Sequence, residues 1–301
     1  MKHTGIMKGE MNTKIDGLLT RIIERNVNGE TYAWLLNKAA DLNGKNNKDQ
    51  LTIIFTSIPR KTGKKEIVIE ETEAKEINAI LPGFRIDHWT IDRLSRVWLL
   101  IQLEIDDKEK YISQIESLFS QAEMNELVAL YSSLPLLSYP DAWKLRCAEG
   151  IRSNIGTVLE AIMYHNPYPS TYLDELAWNQ LVMKAFFTNK NVNNIVGLDA
   201  RANANLANTL FDYVEERWSA NRTVNPQIWR LTAAYFDEPH LYMIEKLFNE
   251  EDETDREAAA LTCAESTNAK LNLLLDQHPQ YKEAVAEKRL SWQVIADKQI
   301  F

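Results

Sequence analysis

The segment MYHNPYPSTYLDELAWNQLVMKAF, from Met163 to Phe186, gathers a histidine, adjacent acids, an asparagine and a lysine between two hydrophobic helical patterns. Its chemistry would be proton transfer. An imidazole titrates near neutral pH, so His165 with Asp174 or Glu160 has the composition of an acid/base pair. A structural reading competes with it. His165 closes the helical pattern EGIRSNIGTVLEAI just before Asn166-Pro167, where an imidazole complements a helix dipole and the pre-proline position leaves helical dihedrals. Thr171 and Asp174 have the spacing of a capping box, which gives Asp174 a role in starting the next helix. A metal site is not expected, because no second histidine stands at ligand spacing and HExxH is absent. Cys147 sits in an alanine-flanked helical pattern and reads as a small core residue. GxSxG, GxGxxG and GxxxxGK[ST] are absent as well, and no cofactor is expected.

The remaining polar candidates are defined by the stripes they interrupt. Asn154 flanks a core stripe of Ile151, Ile155, Val158 and Ile162, while Glu149, Arg152, Gly156 and Glu160 form a second, polar stripe. An amide held against such a seam must find partners or lose about 1 to 3 kcal/mol. In the next helix Asn179 lies among Val182, Met183 and Phe186, and Lys184 shares a narrow polar stripe with Gln180 and Thr188. A third unit opens with a Gly197 turn and Asp199 as N-cap, and its stripe Ala202, Leu206, Leu210, Tyr213 leads to Arg217. Trp218 continues Ala207, Phe211 and Val214 and reads as packing.

The elements that must position these residues are helices. Apolar spacings of three and four recur throughout, and with 10 Gly and 9 Pro in 301 residues the chain is poor in the punctuation that sandwiches and barrels need. QLTIIFTSI reads as helix, whereas EIVIEE, near residue 68, is open between strand and extended loop. The expected fold is all-α: stacked antiparallel helices in a HEAT-like, α-solenoid-like array with little or no sheet. A loose echo between WKLRCAEGIRSNIGTVLEAI and TDREAAALTCAESTNAKLNLLL supports the repeat. Residues 1–120 form a helical region, and 121–301 a repeat region continuous with it.

A net charge of −9 opposes a general nucleic-acid role. The basic cluster RKTGKK, Arg60 to Lys65, is expected in a solvated loop, because Pro59 and Gly63 punctuate it. In the acidic run NEEDETDRE, Thr254 and Glu257 have capping-box spacing. Two distant cysteines, Cys147 and Cys263, offer no disulfide framework, and no apolar run reaches the roughly 18 residues of a spanning helix. The expected location is the cytoplasm.

LYSSLPLLSYPDAW, RCAEGIRSNIGTVLEAIMYHNPYP, YLDELAWNQLVMKAFF, GLDARAN and DYVEERWSANRTVNPQIWR together resemble the EboA family of metabolite-traffic proteins. The resemblance is concentrated from about residue 125 to residue 236. It implies a helical protein encoded with other Ebo proteins, among them a prenyltransferase-like membrane protein, in a system linked to export of secondary-metabolite precursors. The positions that match the family pattern are Glu149, Arg152, Asn154, His165, Asn166, Tyr168, Trp178, Asn179, Lys184, Asp199, Arg201, Asn203, Arg217 and Trp218. Ser138-Tyr139-Pro140 and Asn189 to Asn194 depart from it. The expected function is a non-catalytic binding or adaptor protein, with Arg152, His165, Asn179, Lys184 and Arg217 around a polar pocket. Its partners would be a small metabolite or other Ebo-type proteins, with no nucleic acid and no membrane insertion beyond peripheral association through a membrane partner. The alternatives are a metabolite-processing enzyme using His165 and a structural scaffold.

Overall fold

The structure, a computed structural model, describes residues 2–45 and 48–299. The described residues form α-helices and short 3-10 turns and no strand; β pairing is confined to isolated bridge positions, among them the antiparallel bridge from Glu66 to Thr90. The all-α expectation holds. EIVIEE makes this bridge at Glu66 and runs on without strand pairing to Glu70, and its last residue, Glu71, opens the helix Glu71–Ile80.

The chain divides into two compact units between Asp174 and Glu175. Residue 120, the boundary expected from sequence, lies inside the helix Lys108–Gln121 of the first unit.

The first unit is organised by the helix Ile91–Ile101, which packs against Lys2–Asn26, Lys48–Thr62 and Met124–Ser133. Leu94, Val97, Leu99 and Leu100 are completely buried in it, yet Asp92, Ser95 and Arg96 are buried as well. The helix Lys48–Thr62 runs through Pro59 and takes Arg60 and Lys61 into its last turn; Gly63, at φ +75°, ends it. Pro59 is therefore an interior residue of this helix, and the loop expected at Arg60 begins three residues later.

The pattern EGIRSNIGTVLEAI is not one helix. Lys144–Ile151 ends at Arg152, and Gly156–Met163 begins after a turn in which Ser153 Oγ accepts from the Ile155 amide at 3.1 Å. Serine and asparagine side chains compete for the backbone in this way, which overrides the apolar spacing on either side. Asn154 is consequently exposed and flanks no buried seam, and Ile155 is 38% exposed.

In the second unit, helices Ile228–Thr232, Leu241–Phe248, Ala269–Asp276, Pro279–Ala286 and Trp292–Asp297 gather around Glu253–Glu265. Ala258, Ala259, Ala260 and Cys263 are fully buried there, so small side chains let the neighbours approach closely. The N-cap of this central helix is Asp252, which accepts from the Thr254 amide, in place of the expected Thr254. Cys147 and Cys263 are both free and buried.

Candidate functional site

In the first unit the candidate residues surround the end of Gly156–Met163. His165 does not complete that helix. It stands in the left-handed region at φ +51°, two residues past the last helical position, and its carbonyl accepts from the Arg85 amide at 3.3 Å. Asn166 carries the turn: its Nδ2 donates to the carbonyls of Tyr131 (3.1 Å) and Ala161 (3.0 Å), and its Oδ1 accepts from the Tyr168 amide (3.0 Å). The Tyr168 hydroxyl donates to Pro140 O at 2.6 Å. These two residues tie three stretches of chain together. Glu149 accepts from Arg146 at 2.9 Å, and Arg152 is exposed in the C-cap of its helix.

The charged groups facing His165 are Arg85 and Asp87, themselves joined at 2.8 Å. Neither carboxylate expected as its partner, Glu160 or Asp174, is among them. The capping box expected of Thr171 is also absent, since its hydroxyl donates to Pro167 O inside the short helix Tyr168–Tyr172. Burial lowers the His165 pKa from 6.5, Arg85 lowers it further and Asp87 opposes both. A base with a depressed folded pKa binds fewer protons than the unfolded chain, so stability is lost as the pH falls from 6.5 through the folded value. Thermal melts from neutral pH down to about pH 5 should therefore fall more steeply for the natural protein than for His165→Asn, a variant that tolerates the left-handed backbone. Parallel curves would show that His165 does not titrate differently on folding.

In the second unit Trp178 is the anchor. It is fully buried in the helix Glu175–Phe187, Arg201 lies over its ring at 4.9 Å, and its indole Nε1 has no hydrogen-bond partner among the described residues. That helix is not buried all round: Leu176 and Phe187 are 69% and 61% exposed. Asn179 meets Asn203 in a reciprocal pair, with Asn179 Nδ2 to Asn203 Oδ1 at 3.2 Å and Asn203 Nδ2 to Asn179 Oδ1 at 2.9 Å. Asn203 also caps the helix Ala204–Ser219 by accepting from the Leu206 amide, the role expected of Asp199. Asp199 instead accepts two hydrogen bonds from the Arg230 guanidinium, whose third nitrogen donates to Asn193 at 3.0 Å. Lys184 is half-buried in the last turn of its helix. Arg217 donates twice to Thr223 O and so closes its own helix, while Trp218 packs near Trp229 with Lys246 over its ring.

Sequence reading missed a buried charge layer in the first unit. Arg96 Nη1 donates to Asp92 at 2.8 Å and Nε to Phe55 O at 3.1 Å, and Nη2 lies 3.6 Å from Glu126. Arg93, one turn earlier, lies 4.0 Å over the Trp89 ring and donates to Ser132 at 3.0 Å. Burial pulls its pKa well below the ordinary arginine value against the pull of Glu160 and Asp92. The signal was Asp92 and Arg96 at i and i+4 in a helix whose second half, Val97 to Ile101, is entirely apolar.

With both groups of residues placed, comparison with family models decides the relationship. The model for EboA, described as metabolite traffic protein EboA, matches residues 15–233. The chain belongs to the EboA family. Comparisons with curated proteins and with solved structures gave no match. The EboA match starts well before residue 125, so the Asp92–Arg96–Glu126 layer falls inside the family region together with both candidate groups. It ends at residue 233, which leaves the central helix Glu253–Glu265 outside it. Among the described residues no helix is long and apolar enough to cross a membrane.

Proposed function

We propose that this EboA protein is a non-catalytic, cytoplasmic binding or adaptor protein in the trafficking of a secondary-metabolite precursor. Its ligand or pathway partner is engaged through the Trp178, Asn179, Arg201 and Asn203 face of the second unit. The observation that carries this is the unpaired indole N–H of fully buried Trp178 beneath the Arg201 guanidinium. A buried N–H without a partner costs about 1 to 3 kcal/mol, and such groups persist where binding makes use of them. A guanidinium beside an indole donor suits an anionic or carbonyl-bearing group on a planar body. Lys184, Asp199, Arg217 and Trp218 belong to the same unit; on the first, Glu149, Arg152, Asn154 and His165 contribute a contact surface, with the buried Asn166 and Tyr168 supporting it from beneath. The short helices are read as a HEAT-like stack that presents these surfaces.

The test is native mass spectrometry and pull-down on protein purified from its own host. A bound small molecule or pathway protein that is lost in Trp178→Phe or Arg201→Gln supports the reading. Recovery of the bare chain with neither ligand nor partner would overturn it.

A scaffold is the second reading, favoured by the Asn179–Asn203 pair, which already satisfies both amides. It predicts that Asn179→Ala lowers the melting temperature and leaves pathway output unchanged at equal protein level.

A further inference from the structure

Within an acidic chain of net charge −9, Arg60, Lys61, Lys64 and Lys65 are all exposed within six consecutive positions. None of them pairs with a carboxylate among the described residues. Glu66, the nearest acid in sequence, is taken by His88 Nδ1 at 2.6 Å. Other basic side chains of the chain do have acidic partners, as Arg25 has in Glu70 and Glu73 and Arg146 in Glu116 and Glu149. Cations in the last turn of a helix are favoured by its dipole, which accounts for Arg60 and Lys61 in Lys48–Thr62. Lys64 and Lys65 lie beyond Gly63 and gain nothing from it. Crowding them there costs repulsion, and an external anion relieves it.

We infer that Arg60, Lys61, Lys64 and Lys65 form a docking surface for an anionic lipid bilayer. Three of the four are lysines, compact point charges suited to a diffuse anionic plane, where bidentate phosphate recognition would call for arginine forks. Apolar groups accompany them. Trp34 lies 5.9 Å below the Lys61 ammonium, and indole is the side chain most at home at a membrane–water interface. Ile53, 68% exposed, precedes Arg60 and Lys61 by two helical turns and so shares their face. A nucleic acid, which needs an extended basic stripe, is poorly served by so compact a patch. This inference is independent of the ligand proposed for the second unit.

The experiment is cosedimentation of the full chain with vesicles of phosphatidylcholine mixed with phosphatidylglycerol, against vesicles of pure phosphatidylcholine. The expected result is binding to the mixed vesicles alone, weakened by salt. It should drop at least about 100-fold when all four cations become glutamine (R60Q, K61Q, K64Q, K65Q), since each basic residue near a bilayer contributes about fivefold. The replaced side chains are exposed, so the variant should keep its melting temperature; the paired lysines Lys270 and Lys282, changed to glutamine, serve as the charge control. Equal binding to both vesicle types, undiminished binding by the fourfold variant, or an equal loss in the control overturns the inference. Patch-dependent capture of a single-stranded RNA oligonucleotide without vesicle binding overturns it in favour of a nucleic-acid partner.

Discussion

Arg96→Met is expected to destabilise the first unit by about 3 to 5 kcal/mol, the cost of breaking a buried ion pair from one side. The reason is the surroundings of its partners. Asp92 and Arg96 are each 3% exposed, and Glu126 is 8% exposed. Asp92 Oδ1 already lacks a hydrogen bond, so removing the guanidinium leaves the buried carboxylate without any hydrogen-bond donor. Phe55 O also loses its donor. Glu126 suffers less, because its carboxylate accepts from the Glu123 amide at 3.0 Å in a capping box at the start of Met124–Ser133. In thermal unfolding the loss should appear as a drop of roughly 10 °C. The double variant Asp92→Asn/Arg96→Met removes the stranded charge and should recover a substantial part of that drop, which separates ion-pair breakage from lost packing. A loss below about 1 kcal/mol in the single variant would show that water reaches Asp92 and that the layer is not a sealed one.

This layer also marks where sequence reading stops. Helix type was legible wherever apolar periodicity ran long, as in Ile91–Ile101 or Lys108–Gln121, because that pattern is the burial pattern itself. The i, i+4 pair of Asp92 and Arg96 could be read along one helix, but Glu126 and Phe55 come from helices distant in sequence, and only folding brings them together. Local chemistry misled at Arg152–Ile155, where Ser153 takes the backbone out of the helix although the apolar spacing continues across it. Asn179 and Asn203 were both visible as candidates, yet their reciprocal hydrogen bonds depend on a side-chain pairing that no spacing encodes. Asn166 is one of the positions matching the family motifs, and the structure gives it a structural role: it is 3% exposed and binds three backbone groups. Motif membership and structural support therefore coincide at Asn166, and motif residues with exposed side chains such as Arg152 and Asn154 are better candidates for contact with another molecule.

The packing under that motif gives the second large effect. A Cβ added at Gly150 would lie 2.5 Å from Tyr131 Cζ and 2.6 Å from Ile162 Cδ1, both closer than nonbonded carbons approach. The isoleucine tip can rotate away. The tyrosine is held: it is 5% exposed, its ring lies edge-on to Phe119 at 5.1 Å, its hydroxyl donates to Arg146 O, and its carbonyl accepts from Asn166. Any shift of Tyr131 therefore strains the junction of Met124–Ser133, Lys144–Ile151 and Gly156–Met163 together. Gly150→Val is expected to cost about 3 kcal/mol, at the upper end of overpacking, and Gly150→Ala about 1 kcal/mol after alanine's helix preference is credited. Gly17 supplies the internal comparison, since a Cβ there meets nothing within 4 Å and the residue lies inside the helix Lys2–Asn26. Gly17→Ala should stabilise by up to about 1 kcal/mol through helix propensity alone. Urea melts of the two alanine variants should thus shift in opposite directions from the natural protein. If Gly150→Ala were stabilising as well, Tyr131 would be free to move and the three-helix junction would not be the rigid support that Asn166 and Tyr168 require.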